Sequence, residues 1–577
     1  MDEQRAATHN RNIVVVGGVA GGMSFAARAR RLDESAHIVV LERDPYVSFA
    51  NCGLPYHLAG EITEREDLLL HTPESLQQSL NLDVRTCHEV VSIDRAAKEV
   101  VVRDRNAVAD PGDRDDTAAI YRLPYDHLVL STGASAIVPD IVGIDRPEVR
   151  TLRSVPDLDR LLQLVGMGAR SAVVLGAGFI GLEVTEALRH RGLDVHVVEL
   201  ADQVLGPIDP EMARAVQREL EAHAVGIHLG VSATSIDAAR SDEQGTAAVM
   251  LSDGTRLAAD VVLVSIGVRP ASGLAAAAGL ELGDRGAVRV DASLLTSDPN
   301  ISAVGDAIEV VDAVTGRPAP VPLAGLANRQ GRQAADRLLG TTRTRKAVLG
   351  TAIVRVFDLV AATTGATEKA LVRAGIDFRK VYLHPNQHAG YFPGAKSLHL
   401  KVLFAPDGKV LGAQATGSDG VDKRIDVLAT AVRAGLTVDD LAELELAYAP
   451  PFGSAKDPVN LAGFMAQNLL EGEVRFWYAE EWSHLPEGTV VLDVRGDDEF
   501  ADGHLPGAMV IPHIELRARL SELPSDAPIA LYCLSGFRSY LAARVLAQSG
   551  WSDVRTLAGG LKTFVLANPS VYSGAAG

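Results

Sequence analysis

Two glycine-rich turns, each set between an apolar strand and a helix, constrain this chain more than any other feature. Asn12-Ile-Val-Val-Val16 runs into Gly17-Gly18-Val19-Ala20-Gly21-Gly22, and the pattern predicts a helix over Met23 to Arg31. A second strand, Ile38 to Leu41, ends in Glu42. This order is that of a βαβ dinucleotide-binding unit. Glycines let the backbone approach a pyrophosphate at the helix N-terminus, and an acid roughly 20 residues on accepts hydrogen bonds from a ribose. Val19 departs from the pattern at its second glycine position. The arrangement recurs without departure at Gly176-Ala177-Gly178-Phe179-Ile180-Gly181. Strand Ala172 to Leu175 precedes it, a helix over Leu182 to Arg191 follows, and strand Val195 to Val198 ends in Glu199. Ligand-free glycine turns would have no need of strand, loop, helix and terminal acid in order, twice.

A chain of 577 residues is too long for one core and implies several domains. Its 53 glycines and 47% hydrophobic content suit an α/β fold. A net charge of −19 argues against a nucleic-acid surface, which needs clustered Lys and Arg. The first residues carry no apolar signal core, and no apolar run reaches the roughly 20 residues that span a bilayer. A cytoplasmic protein without membrane contact is the expectation. The histidines lack metal-ligand spacing, so no metal is expected.

Cysteine usage narrows the chemistry. Cys52 stands in Ser48-Phe49-Ala50-Asn51-Cys52-Gly53-Leu54-Pro55, with no second cysteine near it in sequence. A dithiol centre would need two. Cys52 must instead pair with a sulfur brought by the substrate, or cycle through an oxidised form of itself. Cys87, in a Thr-Cys-His context that reads as a strand, is expected to be buried and inert.

Tyr125 to Ala134 reads as a strand ending in Thr132-Gly133, and Asn300 to Ala307 as one ending in Gly305-Asp306. With these segments the chain resembles the pyridine nucleotide-disulfide oxidoreductases. The resemblance implies FAD at Gly17, Gly18, Gly22, Glu42, Arg43, Thr132, Gly133 and Asp306, and NAD(P)H at Gly176, Gly178, Gly181, Glu183, Glu199 and Gly267. NADH is favoured over NADPH, because Glu199 would face a 2′-phosphate and no Lys or Arg occurs between Arg191 and Arg214.

Further on, Thr489-Val-Val-Leu-Asp-Val-Arg495, Gly503-His504-Leu505-Pro506-Gly507-Ala508 and Cys533-Leu534-Ser535-Gly536-Phe537-Arg538-Ser539 follow one another. A cysteine at a strand-to-helix turn meets backbone N–H groups, which favour a thiolate. These elements resemble a rhodanese domain. They imply that Cys533 carries sulfane sulfur with Arg538 as electrostatic partner, and that Asp493 and Arg495 are structural; the bland alternative is a buried structural cysteine.

The Cys52 segment is similar to that of coenzyme A-disulfide reductases and their rhodanese-fused relatives. That similarity implies CoA contacts at Ser48 and Asn51, with Tyr391, Tyr448 and Lys456 supplied by the partner of a homodimer. It also implies CoA phosphate contacts at Arg28 and Arg31, and a CoA contact at Ser24. Tyr391 and Tyr448 could instead be ordinary core or interface aromatics, Lys456 a solvated surface lysine, and Arg28-Ala-Arg30-Arg31 a solvated face. Leu80 stands where the family has a lysine.

The expected fold is α/β: two Rossmann-like dinucleotide-binding domains, an α+β dimerisation domain and a C-terminal α/β rhodanese domain. Expected limits are 11–120 with 285–339 for FAD, 121–284 for NAD(P)H, 343–468 for dimerisation and 478–570 for the rhodanese domain, with a linker over Glu471 to Pro486. The function implied is FAD- and NAD(P)H-dependent reduction of CoA disulfide, CoA persulfide or polysulfide. The alternative is an NADH oxidase or peroxidase cycling Cys52 through sulfenic acid.

Overall fold

The computed structural model describes residues 11–106, 120–240, 245–340 and 346–572. The expected domain start at 343, and residues 107–119 of the expected FAD domain, lie outside them. Contacts divide the chain into two units, Met1–Leu200 with Val225–Val348, and Ala201–Ala224 with Leu349–Gly577.

The first unit holds two parallel sheets. In one, β1 (Asn12–Val16) lies between β2 (His37–Glu42) and β4 (His127–Leu130). β3 (Asp83–Thr86) and the strand Ile301–Ala303 complete its edges. The apolar run of β1 is buried, as a strand covered on both faces requires. Helix α1 (Ala20–Leu32) follows the first glycine loop, and α2 (Leu54–Ala59) follows the Cys52 turn. The second sheet repeats the plan, with β5 (Ser171–Leu175) between β6 (Asp194–Glu199) and β8 (Val261–Val264), and β7 (Gly226–Leu229) outside β6. Helix α3 (Phe179–His190) follows its loop, and α4 (Ala324–Leu338) packs along α1.

Both glycine-loop helices begin earlier than the sequence pattern predicts, α1 at Ala20 and α3 at Phe179. The reason is the same in each. The last loop glycine belongs to the first helical turn and presses against the strand end. A Cβ on Gly22 would lie 1.9 Å from the Gly17 carbonyl oxygen, and one on Gly181 2.0 Å from that of Gly176.

The second unit contains an antiparallel sheet in the order β9 (Ala352–Val356), β10 (Leu359–Gly365), β13 (Val410–Gly417), β12 (His399–Phe404), β11 (Arg379–Leu383). Helix α5 (Glu368–Ala374) follows β10. A parallel sheet then runs β14 (Phe476–Trp477), β18 (Val554–Leu557), β17 (Ile529–Tyr532), β15 (Val490–Asp493), β16 (Met509–Val510). Its helices include α6 (Asp497–Ala501), α7 (Phe537–Gln548) and α8 (Gly560–Ala567).

The expected linker over Glu471 to Pro486 is not one. Phe476–Trp477 pairs with β18, and the fully buried Trp477 donates its indole N–H to the Leu531 carbonyl at 3.1 Å. A strand of two residues has no alternation to read. Cys87 also differs from expectation. It is half-buried at φ +57° in the turn after β3, with its N–H donated to the Asp44 carbonyl at 3.1 Å. No helix among the described residues is long and apolar enough to cross a membrane.

Candidate active site

Each glycine loop is closed by the acid at the end of its neighbouring strand. Glu42 accepts the Gly18 N–H at 2.8 Å and the Asp44 N–H at 3.0 Å; Glu199 accepts the Ala177 N–H at 2.8 Å. Burial raises the Glu42 pKa, against those backbone hydrogen bonds, which lower it. Gly17 at φ +101° and Gly176 at φ +103° take left-handed conformations that a side chain would strain. A Cβ on Gly178 would meet nothing within 4 Å, so that face of the loop is open to a ligand.

The residues present fit FAD. Asp306 is half-buried, its nearest cation is Arg153 at 3.8 Å, and burial raises its pKa. Gln330 donates nothing from its buried Nε2, while its Oε1 accepts the Gly305 N–H at 2.8 Å. A polyhydroxylated chain would satisfy both groups. Thr132 donates its hydroxyl to the Ala271 carbonyl at 2.7 Å, and Gly133 and Gly267 take positive φ of +67° and +123°. Arg43 is exposed.

Cys52 lies in the single 3₁₀ turn Asn51–Gly53 and is exposed. The protein packed behind its sulfur raises its pKa, and the carboxylates of Glu183 and Asp306 raise it further, against the opposing charge of Arg153. Asn51 donates Nδ2 to the Arg153 carbonyl at 2.9 Å. Ser48 holds φ +50° while its N–H reaches the Gly18 carbonyl at 2.8 Å, which ties the cysteine segment to the first glycine loop. Tyr56 donates to Glu183 at 3.5 Å. Arg153 is the residue that sequence reasoning missed; its one signal is its place beside the Ser154 capping box.

The arginines on α1 are not a solvated face. Arg30 is buried and donates to the carbonyls of Leu80, Asn81 and Glu34 at 3.0, 2.8 and 2.7 Å. Arg28 pairs with buried Asp336 at 2.5 Å, and Ser24 donates to Asn328 at 2.9 Å; only Arg31 is exposed. Leu80 packs against the core.

In the second unit the Tyr391 and Tyr448 hydroxyls lie 3.1 Å apart, both exposed, as is Lys456. These tyrosines are therefore not core aromatics. Cys533 is 1% exposed, and its sulfur accepts the Gly536 N–H at 3.2 Å and the Ser539 N–H at 3.4 Å. Asp493 and Arg495 form a buried pair at 2.6 Å, and Arg495 also donates to the Gly503 carbonyl at 2.6 Å. Arg538 interacts electrostatically with Cys533, and its two terminal nitrogens also fork onto Glu499 at 2.5 and 2.7 Å, a contact the sequence does not show.

The chain belongs to the pyridine nucleotide-disulphide oxidoreductase family, whose model matches residues 11–327. It is an oxidoreductase of FAD and NAD(P)H. Residues 351–458 match the family's dimerisation domain and 479–567 a rhodanese-like domain. Its particular relatives lie close. It is 37% identical over 462 residues to the coenzyme A disulfide reductase of Staphylococcus haemolyticus, covering 80% of this chain and 100% of that protein. The reduced CoADR-RHD of Bacillus anthracis superposes with TM-score 0.92 at 44% identity, over 98% of this chain and 99% of that one. A NAD-dependent persulfide reductase from A. fulgidus gives 0.88 at 36% identity, over 96% and 100%.

Proposed function

We propose that this protein reduces CoA disulfide, CoA persulfide or polysulfide at the expense of NADH, with Cys52 as its redox thiol and Cys533 as a carrier of sulfane sulfur. The carrying observation is the exposed Cys52 on the loop that Ser48 joins to the first glycine turn, with no disulfide among the described residues. Domain limits of 11–120 with 285–339, 121–284, 343–468 and 478–570 accompany the reading, as do a homodimer and a cytoplasmic location.

The Cys52 thiolate attacks the CoA-bound sulfur of CoA disulfide or CoA persulfide; polysulfide, which has no such sulfur, first passes one sulfane sulfur to CoA thiolate and leaves as the shortened polysulfide. A Cys52–CoA disulfide forms, the S–S bond of the substrate breaks, and thiolate or hydrosulfide departs with the electron pair and takes up a proton. The electron pair that frees CoA and restores Cys52 would come from NADH through FAD, were both held in the first unit. Ser48 and Asn51 position the CoA arm; Tyr391 and Tyr448 of the partner subunit bracket the leaving sulfur, Tyr448 donating a proton. Arg28 and Arg31 hold the CoA phosphates, Arg28 exchanging Asp336 for phosphate, while Ser24 and the partner subunit's Lys456 contact CoA. Gly17, Gly18, Gly22, Glu42, Arg43, Thr132, Gly133 and Asp306 hold FAD. Gly176, Gly178, Gly181, Glu183, Glu199 and Gly267 hold the nicotinamide cofactor. In the rhodanese domain, Arg538 stabilises the Cys533 persulfide.

The test is anaerobic sulfide release from CoA persulfide. Release that requires NADH and is lost in Cys52→Ser supports the reading. Release independent of NADH, or NADH oxidation that proceeds with oxygen and no sulfur acceptor, sinks it.

A further inference from the structure

The fork between Arg538 and Glu499 places a carboxylate on the very guanidinium that an anionic sulfur donor would use. Nη1 meets Oε2 at 2.5 Å and Nη2 meets Oε1 at 2.7 Å. The two residues come from different elements, Arg538 from the first turn of α7 and Glu499 from α6. Glu499 is fixed from its other side as well, since Oε2 also accepts the Gly496 N–H at 3.2 Å. A planar bidentate pair of this kind is the strong form of a charge-assisted contact. The Arg538 bond holds the Glu499 carboxyl down at about 2, so the pair is ionised throughout the working range. Close by, Cys533 lies at the floor of its loop with its sulfur taking two backbone N–H groups. The other cation here, Arg495, is committed to Asp493 and Gly503.

We propose that Glu499 is a positioning and specificity-determining residue for sulfur loading of Cys533: it neutralises and orients Arg538, so that the domain takes sulfur from persulfides of low charge and discriminates against dianionic donors such as thiosulfate. This rests on the reading of Cys533 as a sulfur carrier. The loading step is an exchange without net redox. The Cys533 thiolate forms a bond to the sulfane sulfur, the bond from that sulfur to the donor breaks, and the donor leaves with the electron pair. A persulfide leaves as its thiolate, and thiosulfate leaves as sulfite. With Glu499 in place, a dianion must displace a carboxylate to reach Arg538 and then sits beside it. A donor whose leaving group carries one charge meets less repulsion.

The test uses the full-length holoprotein and follows single-turnover persulfidation of Cys533 by mass, with dianionic thiosulfate and with cysteamine persulfide, whose ammonium offsets its persulfide charge. In Glu499→Gln the ratio of thiosulfate to persulfide loading rates rises about tenfold, and raised salt shrinks the gain, because both charges are half-buried and so partly screened. Glu499→Asp keeps the charge but shortens the reach, and moves the ratio in the same direction by less. That variant carries the test if the glutamine form does not fold. An unchanged ratio in both variants, or an equal fall with both donors, assigns Glu499 a merely structural role and overturns the proposal. Persulfidation that survives in Cys533→Ser would instead bring down the sulfur-carrier reading itself.

Discussion

The hydroxyls of Tyr391 and Tyr448 meet at 3.1 Å, although 57 positions separate them in the chain, and neither is buried. The contact raises the pKa of Tyr391, first through the hydrogen bond itself. Two phenols bonded in open solvent gain little stability from each other, so the pair is better explained by what it presents to a ligand.

If Tyr448 supplies the proton to a leaving thiolate, Tyr448→Phe lowers kcat with CoA disulfide by about a hundredfold, the lower end of the usual range for general-acid groups. Tyr391→Phe costs less, and the double variant costs little more than Tyr448→Phe alone, because the two act as one unit. Steady-state kinetics of the three variants provide the check. Unchanged kcat in Tyr448→Phe removes the proton-donor role.

Cys52 is held less acidic than an ordinary thiol, by burial of its back face and then by Glu183 and Asp306, with Arg153 opposing. Alkylation follows the thiolate. Labelling of Cys52 by iodoacetamide therefore climbs with pH into the alkaline range, and at fixed pH Glu183→Gln speeds it while Arg153→Gln slows it. Peptide mass analysis separates Cys52 from Cys87 and Cys533. Equal rates in all three proteins would show that these charges do not reach the sulfur.

What the sequence disclosed was local. Both glycine loops, the acids after them, and the cysteine turn before α7 are spelled out within a few residues each, since strand, turn and helix N-terminus are consecutive. Arg153 beside Cys52, Asp336 beside Arg28 and Glu499 beside Arg538 were illegible, because each reaches its partner only through tertiary folding. Arg30 shows the same limit: a basic run reads as a wet face until its carbonyl partners on Leu80 and Asn81 are brought to it.

Lys401 illustrates a structural group with no sequence signal. It is fully buried on β12, 2.7 Å from Asp209 and 2.5 Å from Glu211, and also paired with Glu368. Burial would raise Asp209 and Glu368, but Lys401, helped by Gln414 at Asp209 and by Lys380 at Glu368, outweighs it and both are lowered. Lys401→Met removes the cation that Asp209, Glu211 and Glu368 share, leaving only Lys380 at Glu368, and destabilises the second unit by about 3–5 kcal/mol. The sign with pH follows. Carboxylates depressed in the folded state contribute stability above their unfolded pKa, near 4, and lose it as pH falls through the folded values. His399, held at about 4 by burial, and His384, also lowered, add a loss that begins near 6.5. Denaturant melts from pH 7 to 3 should fall steadily in the wild type and start lower, with a shallower acid limb, in Lys401→Met. Parallel curves would assign the acid sensitivity elsewhere.

Glu199 does two things at the second glycine loop, and they separate by substitution. It accepts the Ala177 N–H at 2.8 Å, which shapes the loop, and it carries a negative charge to the end of β6, where a ribose 2′-phosphate would lie. Glu199→Gln keeps an acceptor oxygen for Ala177 and removes the charge. The preference for NADH over NADPH, measured as the ratio of kcat/KM values with CoA disulfide, should fall by about tenfold, a loss of roughly 1.4 kcal/mol of discrimination. The change should come through a better NADPH value, since the neutral side chain still accepts from Ala177 but no longer repels phosphate. If NADPH use stays as it was, the repulsion does not originate at Glu199, and a basic group reaching the 2′-position from elsewhere in the first unit has to be sought.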